Sequence, residues 1–240
     1  MADDEVQRFY EHEARVYEEL RFESYQGMYS DHIQKSIVLE LVGGCKDKSI
    51  LEIGSGTGRL TKELVKYGAN IVCVDFSRKM HEHSRILLHG KPVEYSVMDG
   101  TDLGFADGTF DGCLVVNVMS HIRNDSEILM EVSRVLRKGG FFVANFPNML
   151  GIYFPVGGMV NLLGRSLQAP VYSRWYSLKE IIRSLKDVRL NPVQVMGRMI
   201  FPRKYCPKVL FRCLIELDRR MLHSSFRFLS GELFVKSFRF

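Results

Sequence analysis

Apolar positions recur at intervals of three and four through residues 4–42: Val6, Phe9, Tyr10, Val16, Tyr17 and Leu20, then Ile33, Ile37, Val38, Leu41 and Val42. That spacing predicts amphipathic helix. Gly27 and Ser30-Asp31 punctuate the stretch into two helices, and Gly43-Gly44 stops the second, as glycine does beyond a last helical turn. From there the pattern alternates. Ser49–Ile53 reads as a short strand, Gly58–Tyr67 as a helix and Asn70–Val74 as a strand. A helix over 78–88, a strand over 93–97, a long apolar strand over 111–118, a helix over 124–137 and a strand over 140–145 follow. Strands that are apolar throughout and separated by helices of about ten residues predict parallel pairing covered on both faces. That is a doubly wound α/β sheet.

After Asn145 the rhythm breaks. Residues 146–177 hold Pro147, Pro155, Pro170 and several glycines amid apolar and aromatic side chains. Regular units resume with a helix near 178–186, a strand near 188–196, a basic helix near 207–222 and a final strand near 232–238. The expectation is one domain over residues 1–240 with a mostly parallel, seven-stranded sheet. Within it, 1–45 is an N-terminal helical portion, 46–147 the core, and 148–240 an insertion after strand 5 plus the C-terminal half of the sheet.

Composition narrows the class. A chain of 240 residues, 46% hydrophobic and 25% charged, has the balance of a soluble globular protein. No run approaches the roughly 18 apolar residues of a spanning helix. The acidic start, Met1 to Glu5, reads as neither secretory signal nor transit peptide. Five scattered cysteines, none in a Cys-x-x-Cys pair, argue against a disulfide framework or a zinc knuckle and point to the cytoplasm. Residues 1–50 carry a net charge of −5 and residues 198–240 one of +7. The basic end either attracts phosphates, nucleic acid or an anionic membrane, or is a solvated face.

The decisive segment is Leu51-Glu52-Ile53-Gly54-Ser55-Gly56-Thr57-Gly58-Arg59-Leu60, a strand feeding a glycine-rich turn that opens a helix. Glycines there let the backbone bend sharply and approach a ligand. The nicotinamide fingerprint wants its third glycine three residues after the second, where this chain has Arg59; here the glycines recur at 54, 56 and 58. The next strand ends Val72-Cys73-Val74-Asp75-Phe76-Ser77, and an acidic side chain there can accept both ribose hydroxyls. The third strand ends Val97-Met98-Asp99-Gly100, and Phe105–Asp111, Val116–Ile122 and Arg134–Gly140 follow in order.

These phrases resemble the motifs of the class I S-adenosylmethionine-dependent methyltransferases, of the type 11 or ubiquinone–menaquinone biosynthesis kind, over roughly residues 46–147. The resemblance implies a Rossmann-like fold with helices on both faces, a helical lid and a substrate-covering insertion. It implies S-adenosylmethionine as cofactor and S-adenosylhomocysteine as product. Gly54, Ser55, Gly56, Thr57 and Gly58 would wrap the methionine moiety and Glu52 would help hold its amino group. Asp75 would bind the ribose; Phe76, Ser77 and Met80 would lie by the adenine, whose pocket Met98, Asp99 and Gly100 complete. Asn117 and Val118 would touch the methionine chain, and Tyr17 would reach the site from the lid. Tyr10 and Tyr17 serve either packing or the active site. Arg21 pairs either with the cofactor carboxylate or with Glu18 or Glu23 on the surface.

Methyl transfer from a sulfonium is an in-line displacement, so the protein mainly aligns the nucleophile and excludes water. A base is needed only for a protonated nucleophile. His121, four residues past Asn117, is the candidate, since histidine's intrinsic pKa suits that task; the alternative is that it caps or packs the following helix. Asn145, Tyr153, Tyr172 and Tyr176 are candidates for the substrate side. His81 and His83 lack the i, i+4 spacing of a metal pair and are expected to be exposed.

The acceptor is expected to be a small or lipid-like molecule, methylated on O, N or C. The phrasing is closest to small-molecule and lipid enzymes of the family, and the segment 149–163 is unusually apolar. That segment either covers a lipophilic acceptor or packs on the sheet. The helix at 207–222 sets Val209, Leu210, Cys213, Leu214 and Leu217 against Lys208, Arg212, Arg219 and Arg220; it either touches an anionic membrane peripherally or packs with its charges in water. Other readings are an RNA or protein methyltransferase using the basic face, and a non-catalytic binding domain. Nucleic acid is disfavoured: the chain lacks the Pro-Pro-aromatic and Pro-Cys signatures of DNA-methylating enzymes.

Overall fold

The computed structural model describes residues 4–14, 16–151, 172–198, 208–222 and 224–240. Helices α1 (Asp4–Glu13), α2 (Tyr17–Phe22) and α3 (Tyr25–Val42) precede the sheet. The expected breaks at Gly27 and Ser30-Asp31 do not occur. The interruption falls earlier because the Ser24 side chain accepts the Gly27 N–H at 3.0 Å and so starts α3, a hydroxyl cap that satisfies an otherwise orphaned donor.

Then follow β1 (Ser49–Ile53), α4 (Thr61–Lys66), β2 (Asn70–Asp75), α5 (Arg78–Leu87), β3 (Val93–Val97), β4 (Phe110–Val115), α6 (Asp125–Val135) and β5 (Leu136–Pro147). The described remainder is α7 (Leu178–Asp187), β6 (Leu190–Arg198), α8 (Lys208–Met221) and β7 (Glu232–Arg239). The sheet order is β3-β2-β1-β4-β5-β7-β6. All pairs are parallel except those of β7, which runs antiparallel between β5 and β6. The seven-stranded, Rossmann-like α/β expectation is met. Several elements change length: β4 ends at Val115, short of residue 118; α4 opens at Thr61, after a run of turns from Gly56; α6 ends at Val135, short of residue 137; and β5 runs from Leu136 to Pro147, twice the expected 140–145.

Successive strand residues face opposite sides of a sheet, and both sides here are apolar. Leu51 and Ile53, Cys113 and Val115, and Phe142, Ala144 and Phe146 pack towards Ile128, Leu129 and Val132 of α6 and Ile181 and Leu185 of α7. Ile50, Leu114, Phe141 and Val143 pack towards Ile33, Ile37, Val38 and Leu41 of α3 and Leu64 of α4. Covering both faces leaves the C-terminal edge of the parallel strands as the place for a ligand, at the point between β1 and β4 where the strand order reverses.

Candidate functional site

At that switch point lies a cleft open to solvent. The carboxyl ends of β1 to β4 wall it, and Val6, Tyr10 and Tyr17 of α1 and α2 close its other side. Gly54 follows β1 directly, and its N–H donates to the Val74 carbonyl at 2.7 Å, which ties the turn to β2. Gly54 and Gly56 both take positive φ, 70° and 53°, a region that side chains with a Cβ avoid. A Cβ on Gly54 would sit 2.1 Å from Val118, so the β1 turn and the segment after β4 meet at van der Waals contact. A Cβ on Gly56 would meet no protein atom within 4 Å; it would project into the cleft.

Asp75 ends β2 beside this turn. Gly56 N–H donates to its Oδ2 at 2.8 Å and Ser77 N–H to its Oδ1 at 2.9 Å. Each oxygen keeps a second lone pair for a ligand. Burial pushes its pKa up to about 6, against the lowering effect of those two bonds. Glu52, one residue before the end of β1, accepts from the Thr61 hydroxyl at 2.6 Å. Full burial pushes its pKa up to about 7. Asp99 accepts from the backbone N–H and the hydroxyl of Thr101, at 3.0 and 2.9 Å, and lines the cleft with Met98 and Gly100.

His121 sits in the short 3-10 turn after β4. Its Nδ1 is 2.9 Å from the Tyr172 carbonyl. A carbonyl only accepts, so Nδ1 carries the proton and Nε2 is the acceptor. The Tyr10 hydroxyl donates to that Nε2 at 3.0 Å. Burial lowers the His121 pKa below the ordinary histidine value and so favours the neutral ring.

The cleft brings together Tyr17, Glu52, Gly54, Ser55, Gly56, Thr57, Asp75, Phe76, Met80, Met98, Asp99, Gly100, Asn117, Val118 and His121. Gly58 and Ser77 stand outside its lining. A Cβ on Gly58 would lie 2.3 Å from the Ser84 hydroxyl, so this glycine lets α5 approach the turn. Ser77 caps α5, its hydroxyl accepting the Met80 N–H at 3.2 Å.

Other expectations need correction. His81 is buried, because its ring packs edge-on to Tyr95 at 5.3 Å and its Nε2 lies 3.4 Å from the Ser55 hydroxyl; burial lowers its pKa to about 4. His83 is half-buried. Arg21 pairs with Glu13 at 3.2 Å and stacks 4.5 Å over the Tyr17 ring. Glu18 instead accepts the Thr57 hydroxyl at 2.7 Å. Tyr176 lies in the core against Phe146, with its hydroxyl on the Met119 carbonyl. Asn145 lies behind the cleft, bonded to Asn117. Tyr153 and most of 149–163 lie outside the described residues.

Arg59, Ile122 and Ile128 also line the cleft, and Gln34 bonds Asn117 from behind. Sequence reading passed over these. Gln34 does leave a signal: it is the polar member of the otherwise apolar stripe Gln34, Ile37, Val38, Leu41, all buried.

Residues 51–144 match the family model described as a methyltransferase domain. This part of the chain is a methyltransferase domain. An uncharacterized methyltransferase of Mycobacterium sp. (strain KMS) is 33% identical over 132 residues, 53% of this chain and 50% of that protein. The ubiquinone/menaquinone biosynthesis C-methyltransferase of Desulfotalea psychrophila is 28% identical, over 59% of this chain and 61% of its own. The ubiquinone biosynthesis O-methyltransferase of Thiobacillus denitrificans is 24% identical, over 65% and 69%. The chain thus spans about half the length of the first of these curated relatives. A solved SAM-dependent methyltransferase of Thermotoga maritima shares the fold, with TM-score 0.67 and 16% identity over 98% of this chain and 100% of that one. The glycine turn, Asp75 and Asn117 of the methyltransferase domain all fall within the matched residues.

Proposed function

We propose that the protein transfers a methyl group from S-adenosylmethionine to a small, lipid-like acceptor, residues 1–240 acting as a single domain. The observation that carries this reading is the convergence of four strand ends on one cleft, with Asp75, the Gly54–Thr57 turn and Asn117 facing the same space. The residues fit the cofactor. A ribose needs an acceptor at the end of β2, and both Asp75 oxygens have capacity left. A methionine chain needs close backbone approach, and the open face of Gly56 supplies it. Phe76, Met80 and Met98 offer apolar faces to an adenine, and Asp99 a carboxylate for its amine. Glu52 holds the amino group, and Tyr17 covers the site as part of a lid formed by α1 and α2.

The bound cofactor supplies the activated methyl; the chain supplies alignment, dryness and a proton acceptor. His121 is that acceptor. Its neutral Nε2 takes the proton of an acceptor hydroxyl or amine once that group replaces the Tyr10 hydroxyl. Gly58 and Ser77 serve by placing α5. Quinone-pathway names among the relatives, and the apolar Val6, Ile122 and Ile128 in the cleft wall, support a lipid-like acceptor. Among the described residues no helix is long and apolar enough to cross a membrane. We propose peripheral contact through the basic C-terminal region, which sedimentation with anionic vesicles tests: no binding at low salt removes it.

The deciding experiment incubates the protein with methyl-labelled S-adenosylmethionine and a cell lysate, then partitions the products. Protein-dependent label in the organic phase is the expected result. Label confined to the aqueous or precipitated fraction overturns the lipid-like acceptor, and no protein-dependent label overturns methyl transfer.

A further inference from the structure

Asn117 is the residue at which the cleft's own geometry is least ordinary. It holds φ at 62° without being glycine, in a region that costs free energy for a residue with a Cβ. Its amide oxygen is already committed, and its amide nitrogen in part. Oδ1 accepts from Gln34 Nε2 at 2.9 Å and from Asn145 Nδ2 at 3.0 Å. Nδ2 donates to Gln34 Oε1 at 3.2 Å, and the backbone N–H donates to Asn145 Oδ1 at 2.6 Å. An amide oxygen has two lone pairs, so the Oδ1 of Asn117 has no place left for a ligand donor.

Both clamping residues are themselves anchored. Gln34 Oε1 accepts from Arg59, which pairs with Asp31. Asn145 Nδ2 also donates to Glu232, which pairs with Arg198 at 2.9 Å. Arg198 donates back to the Ser30 carbonyl at 2.8 Å. The contacts run from Asp31 through Arg59 back to Gln34 on α3, then through Asn117, just past β4, to β5, β7 and β6, and return to α3 at Ser30, one residue from Asp31.

We infer that Gln34 and Asn145 are positioning residues, which hold Asn117 in its left-handed conformation so that its main chain, rather than its amide, faces the methionine end of the cofactor. This deepens the proposed function and rests on it for the ligand, but the clamp can be measured without one. Two variants probe it: Gln34→Met, which keeps the volume of a helix residue while removing its hydrogen bonds, and Asn145→Ala. In isotope-labelled, ligand-free protein, the backbone shifts and coupling of residue 117 should leave the left-handed range in each variant. Retention of that range in Q34M overturns the inference whether or not N145A folds.

The second readout is S-adenosylhomocysteine affinity in a mutant cycle with Asn117→Gly, because glycine takes positive φ unaided and no longer needs the clamp. Each clamp variant should weaken binding at least tenfold in the natural background and less than threefold in the N117G background. Equal losses in both backgrounds, the behaviour of independent sites, overturn the positioning role. Failure of the unmodified protein to bind S-adenosylhomocysteine overturns the proposed function instead, and the ligand-free readout still decides the clamp.

Discussion

The hydroxyl of Tyr10, on the first helix, donates to Nε2 of His121, beyond the fourth strand, across 111 positions of chain. The ring nitrogen that would accept a proton is therefore covered from the N-terminal side, and its opposite nitrogen is fixed by the Tyr172 carbonyl. Burial keeps this imidazole neutral below the pH at which an exposed histidine half-titrates, about 6.5. At saturating cofactor, where the titration of Glu52 does not limit binding, kcat for a hydroxyl or amine is then expected to stay flat from neutral pH down through that value and fall only below it. His121→Gln should lower kcat by roughly 10²-fold or more with little change in S-adenosylhomocysteine affinity. A pH–rate profile and calorimetry on the same variant check both.

Asp75 carries the ribose in the proposed complex. Asp75→Ala should weaken S-adenosylhomocysteine binding at least tenfold, since hydrogen bonds to a charged group contribute about 1.5–3 kcal/mol each. Unchanged affinity in calorimetry would mean that the ribose lies elsewhere.

Glu52 predicts a pH dependence of stability. Its carboxyl releases its proton near 4.5 when unfolded and near 7 when folded. Between those values the folded chain binds more protons, so this group's contribution is full below pH 4.5 and is lost as pH rises to 7. The loss is on the order of 3 kcal/mol. Glu52→Gln should flatten that part of the curve, measured as denaturant midpoints from pH 4.5 to 8. A wild-type curve that stays parallel to the variant's would refute the buried, protonated Glu52.

Gly56 and Gly58 should separate binding from folding. Gly56→Ala meets no protein atom, so its stability cost is only the backbone strain of about 1–2 kcal/mol, while its methyl fills cofactor space and binding is lost. Gly58→Ala drives its methyl into Ser84 and Leu88 and should lower the melting temperature more than G56A does. The reverse order of the two melting temperatures would contradict the packing assigned to these glycines.

What could be read from the sequence was what is local. The order and type of the strands and helices from Ser49 to Asn145 declare themselves within a few neighbours, though not all their bounds, and the residues from Glu52 to Asp75 form their half of the cleft from consecutive elements. Contacts that join distant segments left weaker traces. Gln34 and Asn117 lie 83 positions apart, and only a polar residue in an apolar stripe hinted at their meeting. His81 was misread because helical spacing tells which face it shares, not that Tyr95 and Ser55 close over that face. The pause expected at Gly27 failed because a hydroxyl one turn earlier had already fixed the start of α3.

The placement of β7 bears on how the chain reaches its native state as it leaves the ribosome. Strands β1 to β5 can pair in order, but among the described residues β6 has no neighbour in the sheet except β7, which is made after it and must slot between β6 and β5. Until then the β5 edge, with Phe142 and Phe146, stands open, and such an edge invites pairing with other chains. Glu232, which begins β7, also arrives last at Asn145. Synthesis of the final described strand therefore completes the sheet and secures the back of the cleft in one step, leaving a nascent chain halted before it with an unprotected edge and a ligand site lacking its rear support.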